Sequence, residues 1–266
     1  MKTDNRKQVL ISDLHTWSTV GIWPEGFISK AGSHVGQNKY QGLLWEIWNH
    51  MWDWAFEIIG GDPYDLIING DIVEGDHHRS KQVMTGDRDD QMIAAEMIIR
   101  PRLCYDPSLF IVQGTECHTH DDELWIGQEL GAHKDPSTGH HAFRRLELEL
   151  PTGKLLAVSH HMPTTKRIWT EANALNAELQ NEVAEKVRNG VRPPDMIARA
   201  HRHIHGYYSN GRQAACCTGA WQGLTRFGDK VVPHAIPAPS MIILDSSHKE
   251  EGELPTIHEK VVSAPH

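Results

Sequence analysis

The chain has 266 residues, 39% hydrophobic and 23% charged, with a formal net charge of −9. This balance excludes a disordered tail, and no run of about 18 apolar residues exists to form a transmembrane helix. With 35 acidic against 26 basic residues, the chain as a whole is not drawn to polyanions. At this length one core buries most of the surface that folding removes from water, so no disulfide or structural metal is needed. We read residues 1–266 as a single domain.

The four cysteines (Cys104, Cys117, Cys216, Cys217) are too few for a disulfide framework, and two are adjacent. The N-terminus has neither a long apolar stretch nor a small-residue cleavage site. Reduced thiols and a cytoplasmic location are therefore expected, with no membrane partner. The 19 histidines are dispersed and often close to acids, which points to metal ligation or proton transfer.

In chain order, short apolar runs predict strands at 9–12, 65–69, 109–113, 155–159, 196–199, 213–217 and 240–244. Helical periodicity predicts helices over 39–59, over 88–100 ending at Pro101, and over 166–188 ending at Asn189-Gly190. Alternation of strands and helices in the first half predicts an α/β sheet, and a strand-rich second half predicts a second sheet. Trp45, Trp48 and Trp52 share a face of the first helix. That face is read as core or as a homo-oligomer contact. Trp17 and Trp23 follow the first strand and are candidate pocket walls.

The chemistry gathers where the strands end. Asp13 and His15 follow the first strand, and Gly70-Asp71 through Gly75 follow the second. Gly114-Thr115-Glu116-Cys117-His118 follow the third, His160-His161 the fourth and His201-Arg202-His203 the fifth. Ligands of open α/β sheets collect beyond the carboxyl ends of strands. On extended backbone the alternate residues of Asp-x-His and His-x-His point the same way and reach one centre. Carboxylate with neutral imidazole suits Mn, Fe, Zn, Co or Ni and disfavours Ca and Mg. Seven or eight such groups are too many for one tetrahedral ion. They suit two divalent ions about 3.5–4 Å apart, with Asp71 as the natural bridge.

This series of blocks resembles the calcineurin-like metallophosphoesterase superfamily. The pattern there is Asp-x-His, Gly-Asp-x-x-x-Gly, Gly-Asn-His-Asp/Glu, a strand-end His and Gly-His-x-His. Here Ala200 stands for the last block's Gly. The stretch from Gly70 through His78-Arg79 also resembles a phage and prophage branch. The resemblance implies a four-layer αββα sandwich of two mixed β-sheets flanked by helices, and hydrolysis of phosphate esters by a hydroxide that two metal ions activate. It implies Asp13, His15, Asp71 and His203 on one ion (manganese first among those named) and Asp71, Glu116, His160 and His201 on the other.

The third block departs from the pattern. An ungapped alignment puts Thr115 in the Asn place and Glu116 in the His place. A shifted one gives Glu116 to the metal and the general-acid role to His118, and is preferred because it keeps an oxygen ligand and an imidazole. His160 is preferred over His161 as the strand-end ligand, which leaves His161 with His78 and Arg79 as substrate contacts. Arg202, between two ligands, is a weaker phosphate clamp.

The expected substrate is a phosphodiester, nucleic acid included, with Arg79, Lys81, Arg88, Lys166 and Arg167 available to line a groove. The alternatives are a nucleotide or phosphomonoester phosphatase, or a degenerate phosphoesterase fold acting as a binding module. Amidohydrolase-like and metallo-β-lactamase-like enzymes place His-x-His early, whereas here it is late.

Overall fold

The structure, a computed structural model, describes residues 1–76, 82–119, 121–162, 171–226, 228 and 237–262. Its first sheet holds β1 (Lys7–Ile11), β2 (Asp65–Asn69), β3 (Ser108–Val112), β9 (Ser240–Asp245) and β10 (Thr256–Val261), in the order β10-β9-β1-β2-β3. The second holds β4 (Leu146–Glu149), β5 (Leu155–Val158), β6 (Met196–Arg199), β7 (Gly206–Ser209) and β8 (Ala214–Cys217), in the order β4-β5-β6-β8-β7. Both are mixed. β1, β2 and β3 run parallel, as do β5, β6 and β8, while β9 pairs antiparallel with β1 and β10, β4 with β5, and β7 with β8.

Alternation along each strand builds the layers, because successive side chains point to opposite faces. Leu10, Ile67, Phe110 and Ile242 of the first sheet meet Leu148, Leu156, Met196 and Ala214 of the second in one core. Their neighbours Val9, Ile11, Ile68 and Ile111 face α1 (Lys39–Ile59), α2 (Asp89–Ile99) and α4 (Asp122–Leu130). On the far side, Ala157, Ile197 and Ala215 pack against Leu175 and Leu179 of α5 (Glu171–Arg188). The expected αββα sandwich is thus present.

Helix α1 begins and ends where its caps dictate. Asn38 accepts from the Gln41 amide, Gln41 answers to the Asn38 amide, and Gly60 closes the helix at φ 67°. Trp48 and Trp52 are wholly buried, in edge contact with each other, and Trp48 meets Trp221 in the same way. These rings belong to the chain's own core, so the expected oligomer face loses its central members. Trp17 and Trp23, the candidate pocket walls, are buried and pack with Phe27 and Ala94 as core.

Candidate metal centre

The parallel strands of both sheets end together, and their loops are stitched by backbone hydrogen bonds. Asp13 N–H donates to the Gly70 carbonyl, His15 N–H to Asp71, Ala200 N–H to His160 and Trp221 N–H to Asp13. The loops approach closely enough to demand glycine. A Cβ on Gly70 would lie 2.4 Å from His160 Nδ1, and one on Gly114 would lie 2.2 Å from Asp71 N and Oδ1.

Asp-x-His and His-x-His do converge, but not on extended backbone. Asp13, His15, Asp71, His201 and His203 all have positive φ, between 45° and 70°. Non-glycine residues avoid this region at a cost of about 1–3 kcal/mol each, so the surrounding structure holds strain where the ligands are aimed.

Among the described residues three groups of ligand atoms result: His15, Glu74 and His118; Asp13, His15 and His203; and Asp71, His160 and His201. Asp71 Oδ2 joins the last two, 3.0 Å from His160 Nε2 and 3.9 Å from His15 Nε2. Asp13 Oδ1 is buried with no hydrogen-bond partner of good geometry, yet lies 3.4 to 3.9 Å from Nε2 of His203, His15 and His160. A buried carboxylate oxygen ringed by imidazole nitrogens fits a cation between them.

The far nitrogens fix how the rings present themselves. His160 Nδ1–H donates to the Asn69 carbonyl at 2.7 Å and His118 Nδ1–H to the Glu74 carbonyl at 2.7 Å. His15 Nδ1 lies 2.9 Å from Glu74 Oε2, which also accepts from Gln222 Nε2 at 2.6 Å. Outer partners of this kind set the tautomer of metal-binding histidines. His15 and His160 each turn Nε2 toward Asp13 and Asp71.

The charges agree. Burial alone would raise the Asp71 carboxyl, but His160, then His15 and His118, outweigh it and hold Asp71 well below the carboxylate range. Burial alone would lower His160, but Asp71 raises it to about 10. Without a cation, a proton on His160 balances the carboxylates. His201 is pushed down to about 4 by burial and by His160, so it is neutral and ready to ligate at neutral pH.

The third loop differs from the preferred alignment. α3 (Glu116–Thr119) starts at Glu116, whose exposed side chain is in none of these ligand groups. Thr115, the last loop residue, faces inward instead. Its amide donates to Asp71 Oδ1 at 2.6 Å, and its hydroxyl lies 3.1 Å from both Asp71 Oδ2 and His201 Nδ1. The side chain of this loop that meets Asp71 and His201 is therefore Thr115 and not Glu116. His118 lies at the site, its ring 4.9 Å from that of His15. His161 is exposed at the rim, its ring 4.8 Å from that of His201. Arg202 is buried, and Arg88 is held by Asp122. His78, Arg79, Lys81, Lys166 and Arg167 lie outside the described residues.

Sequence reasoning assigned no role to Glu74, Gln222 or Glu123. Glu74 carried a signal, an acid inside the second block. Gln222 and Glu123 carried none, because only the fold brings them to the ligand loops.

The layers and the strand order make this chain a four-layer αββα sandwich of two mixed sheets, with five loops meeting at one end of its parallel strands. Solved structures that it resembles include an archaeal phosphodiesterase, 10% identical, with 96% of this chain and 99% of that one covered at a TM-score of 0.46. Vps29 from Entamoeba histolytica, complexed with zinc, is 11% identical, with 97% and 99% covered at 0.41. A 5'-nucleotidase candidate from Staphylococcus aureus is 14% identical at 0.44, with 98% of this chain and 55% of that one covered. No family model matches the sequence, and no curated protein does. Among the described residues no helix is long and apolar enough to cross a membrane.

Proposed function

We propose that this chain is a phosphoesterase that works with two divalent transition-metal ions and acts on phosphodiesters. The observation that carries the reading is the pair of ligand groups joined at Asp71. Asp13, His15 and His203 would hold one ion. Asp71, His160 and His201, with the Thr115 hydroxyl beside them, would hold the other, and Asp71 would serve both. Manganese heads the metals that such oxygen and imidazole donors suit, with Fe, Zn, Ni and Co as further fits. When bound, two such ions stabilise charge on phosphoryl oxygens and acidify water at neutral pH.

The chain's own residues supply the rest. His118, with Nδ1 fixed on the Glu74 carbonyl, carries the proton for the leaving oxygen on Nε2. His161 stands at the rim with its pKa lowered by burial and by His160, and contacts substrate as a neutral donor. His203 keeps 24% of its side-chain surface exposed, so this side of the centre reaches solvent. His78 and Arg79 are proposed substrate contacts on sequence grounds alone.

One observation favours a second reading, a binding module. Thr115 offers the second ion only a hydroxyl, a weaker ligand than an amide or carboxylate. A panel of bis-p-nitrophenyl phosphate, p-nitrophenyl phosphate, nucleotides, cyclic nucleotides and single-stranded DNA with Mn2+ tests both. Turnover of diesters above monoesters is expected. Preference for monoesters or nucleotides would replace the diester assignment with a phosphatase, and no turnover with fewer than two bound ions would favour the module.

A further inference from the structure

Glu123, on the first turn of α4, is fully buried among backbone amides and carries no part of the proposed chemistry. Its Oε1 accepts the Ile72 N–H at 3.1 Å, and its Oε2 accepts the Gly114 N–H at 2.7 Å. Ile72 follows Asp71 and Gly114 precedes Thr115, so one carboxylate spans the two loops that shape the second ion's site. On the other side of the same loops, Asp71 Oδ1 accepts the Thr115 amide. The two loops are therefore clamped from beneath by Glu123 and from within by Asp71. Burying a carboxylate is costly, and burial together with the nearby Asp71 charge raises Glu123 to about 7. An apolar side chain would pack α4 with no such penalty. What it could not do is accept two amides from different loops.

We propose that Glu123 is a positioning residue for the second ion, holding the Asp71 and Thr115 loops at the separation that their ligand atoms require. The inference rests on the two-ion reading above. The test is a calorimetric Mn2+ titration of chelator-stripped protein, with amide hydrogen exchange at Ile72 and Gly114 measured before metal is added. Wild type should take up two ions. E123Q presents an amide NH2 to one of the two N–H donors and should lose about 10–100-fold in affinity for the second ion only, the range for outer partners of metal ligands. E123D keeps the charge but is one methylene short of spanning both amides, and should weaken the same step. Both variants should exchange Gly114 N–H at least tenfold faster without metal. L130A, which loosens the same helix away from the loops, should leave the second ion's affinity unchanged.

Wild-type ion affinities in E123Q or E123D, or equal weakening in L130A, would overturn the role of Glu123 while leaving the two-ion reading in place. A wild-type protein that binds fewer than two ions would overturn the reading and this inference together. If E123Q does not fold, the exchange and titration data for E123D decide.

Discussion

Nε2 of His15 stands 3.1 Å from Nε2 of His203. Glu74 holds the opposite nitrogen of His15, so His15 presents a lone pair to its neighbour. Two imidazole lone pairs at this distance repel unless a proton or a cation lies between them. Glu74 therefore decides whether His15 can ligate. In E74Q the amide can donate to Nδ1 and drive the proton to Nε2. We expect first-ion affinity to fall about 10–100-fold while the second site is spared. Calorimetric titration of E74Q against wild type checks this, and unchanged first-ion affinity would contradict it.

The third loop makes a sharp distinction between adjacent residues. Thr115 touches Asp71 and His201, whereas Glu116 is exposed at the head of α3. T115A should weaken the second ion by about tenfold, and E116A should leave both ions in place. Metal content after gel filtration separates the two. Loss of an ion in E116A alone would restore the shifted alignment.

His118 is expected to bear a proton and not a metal. H118A should retain two ions and lose about 10²–10⁴-fold in turnover of alkyl phosphodiesters. The loss should be smaller with p-nitrophenyl esters, whose leaving group needs little help from an acid. A collapse in metal content would make His118 a ligand.

The stripped protein should be sensitive to alkaline pH. Burial opposes charge on His160, but Asp71 raises its folded pKa to about 10, above the ordinary imidazole value of 6.5. A raised histidine stabilises the fold fully below its unfolded pKa, and that contribution is lost as pH rises through the folded value. Melting temperatures of chelated protein should therefore fall between pH 7 and pH 10.5, and less so in H160A. Bound metal replaces the proton, so the metal-loaded protein should show a weaker slope. A flat profile for the chelated wild type would count against the charge arrangement at Asp71.

The interior of the fold was readable because buried parallel strands are continuous apolar runs. Residues 65–69 and 196–199 match β2 and β6 in full. The strands that escaped, β4, β7 and β10, are all sheet edges with alternating or exposed side chains. In residues 146–149, Leu-Glu-Leu-Glu, only Leu146 and Leu148 enter the core, so there is no apolar run. The convergence of Asp13, His15, Asp71, His160, His201 and His203 was legible from their order at strand ends. Their backbone was not, since spacing carries no signal for a left-handed φ at Asp13 or His203. Nor was the choice between Thr115 and Glu116, which depends on where α3 begins.

The central claim is a two-ion centre bridged by Asp71, and metal counting tests it most directly. Elemental analysis of wild type and D71N, each loaded with Mn2+ and desalted, is the measurement. We predict two ions per wild-type chain, and loss of most metal with all diesterase activity in D71N. Two retained ions, or retained activity, in D71N would show that this carboxylate does not bridge the centre.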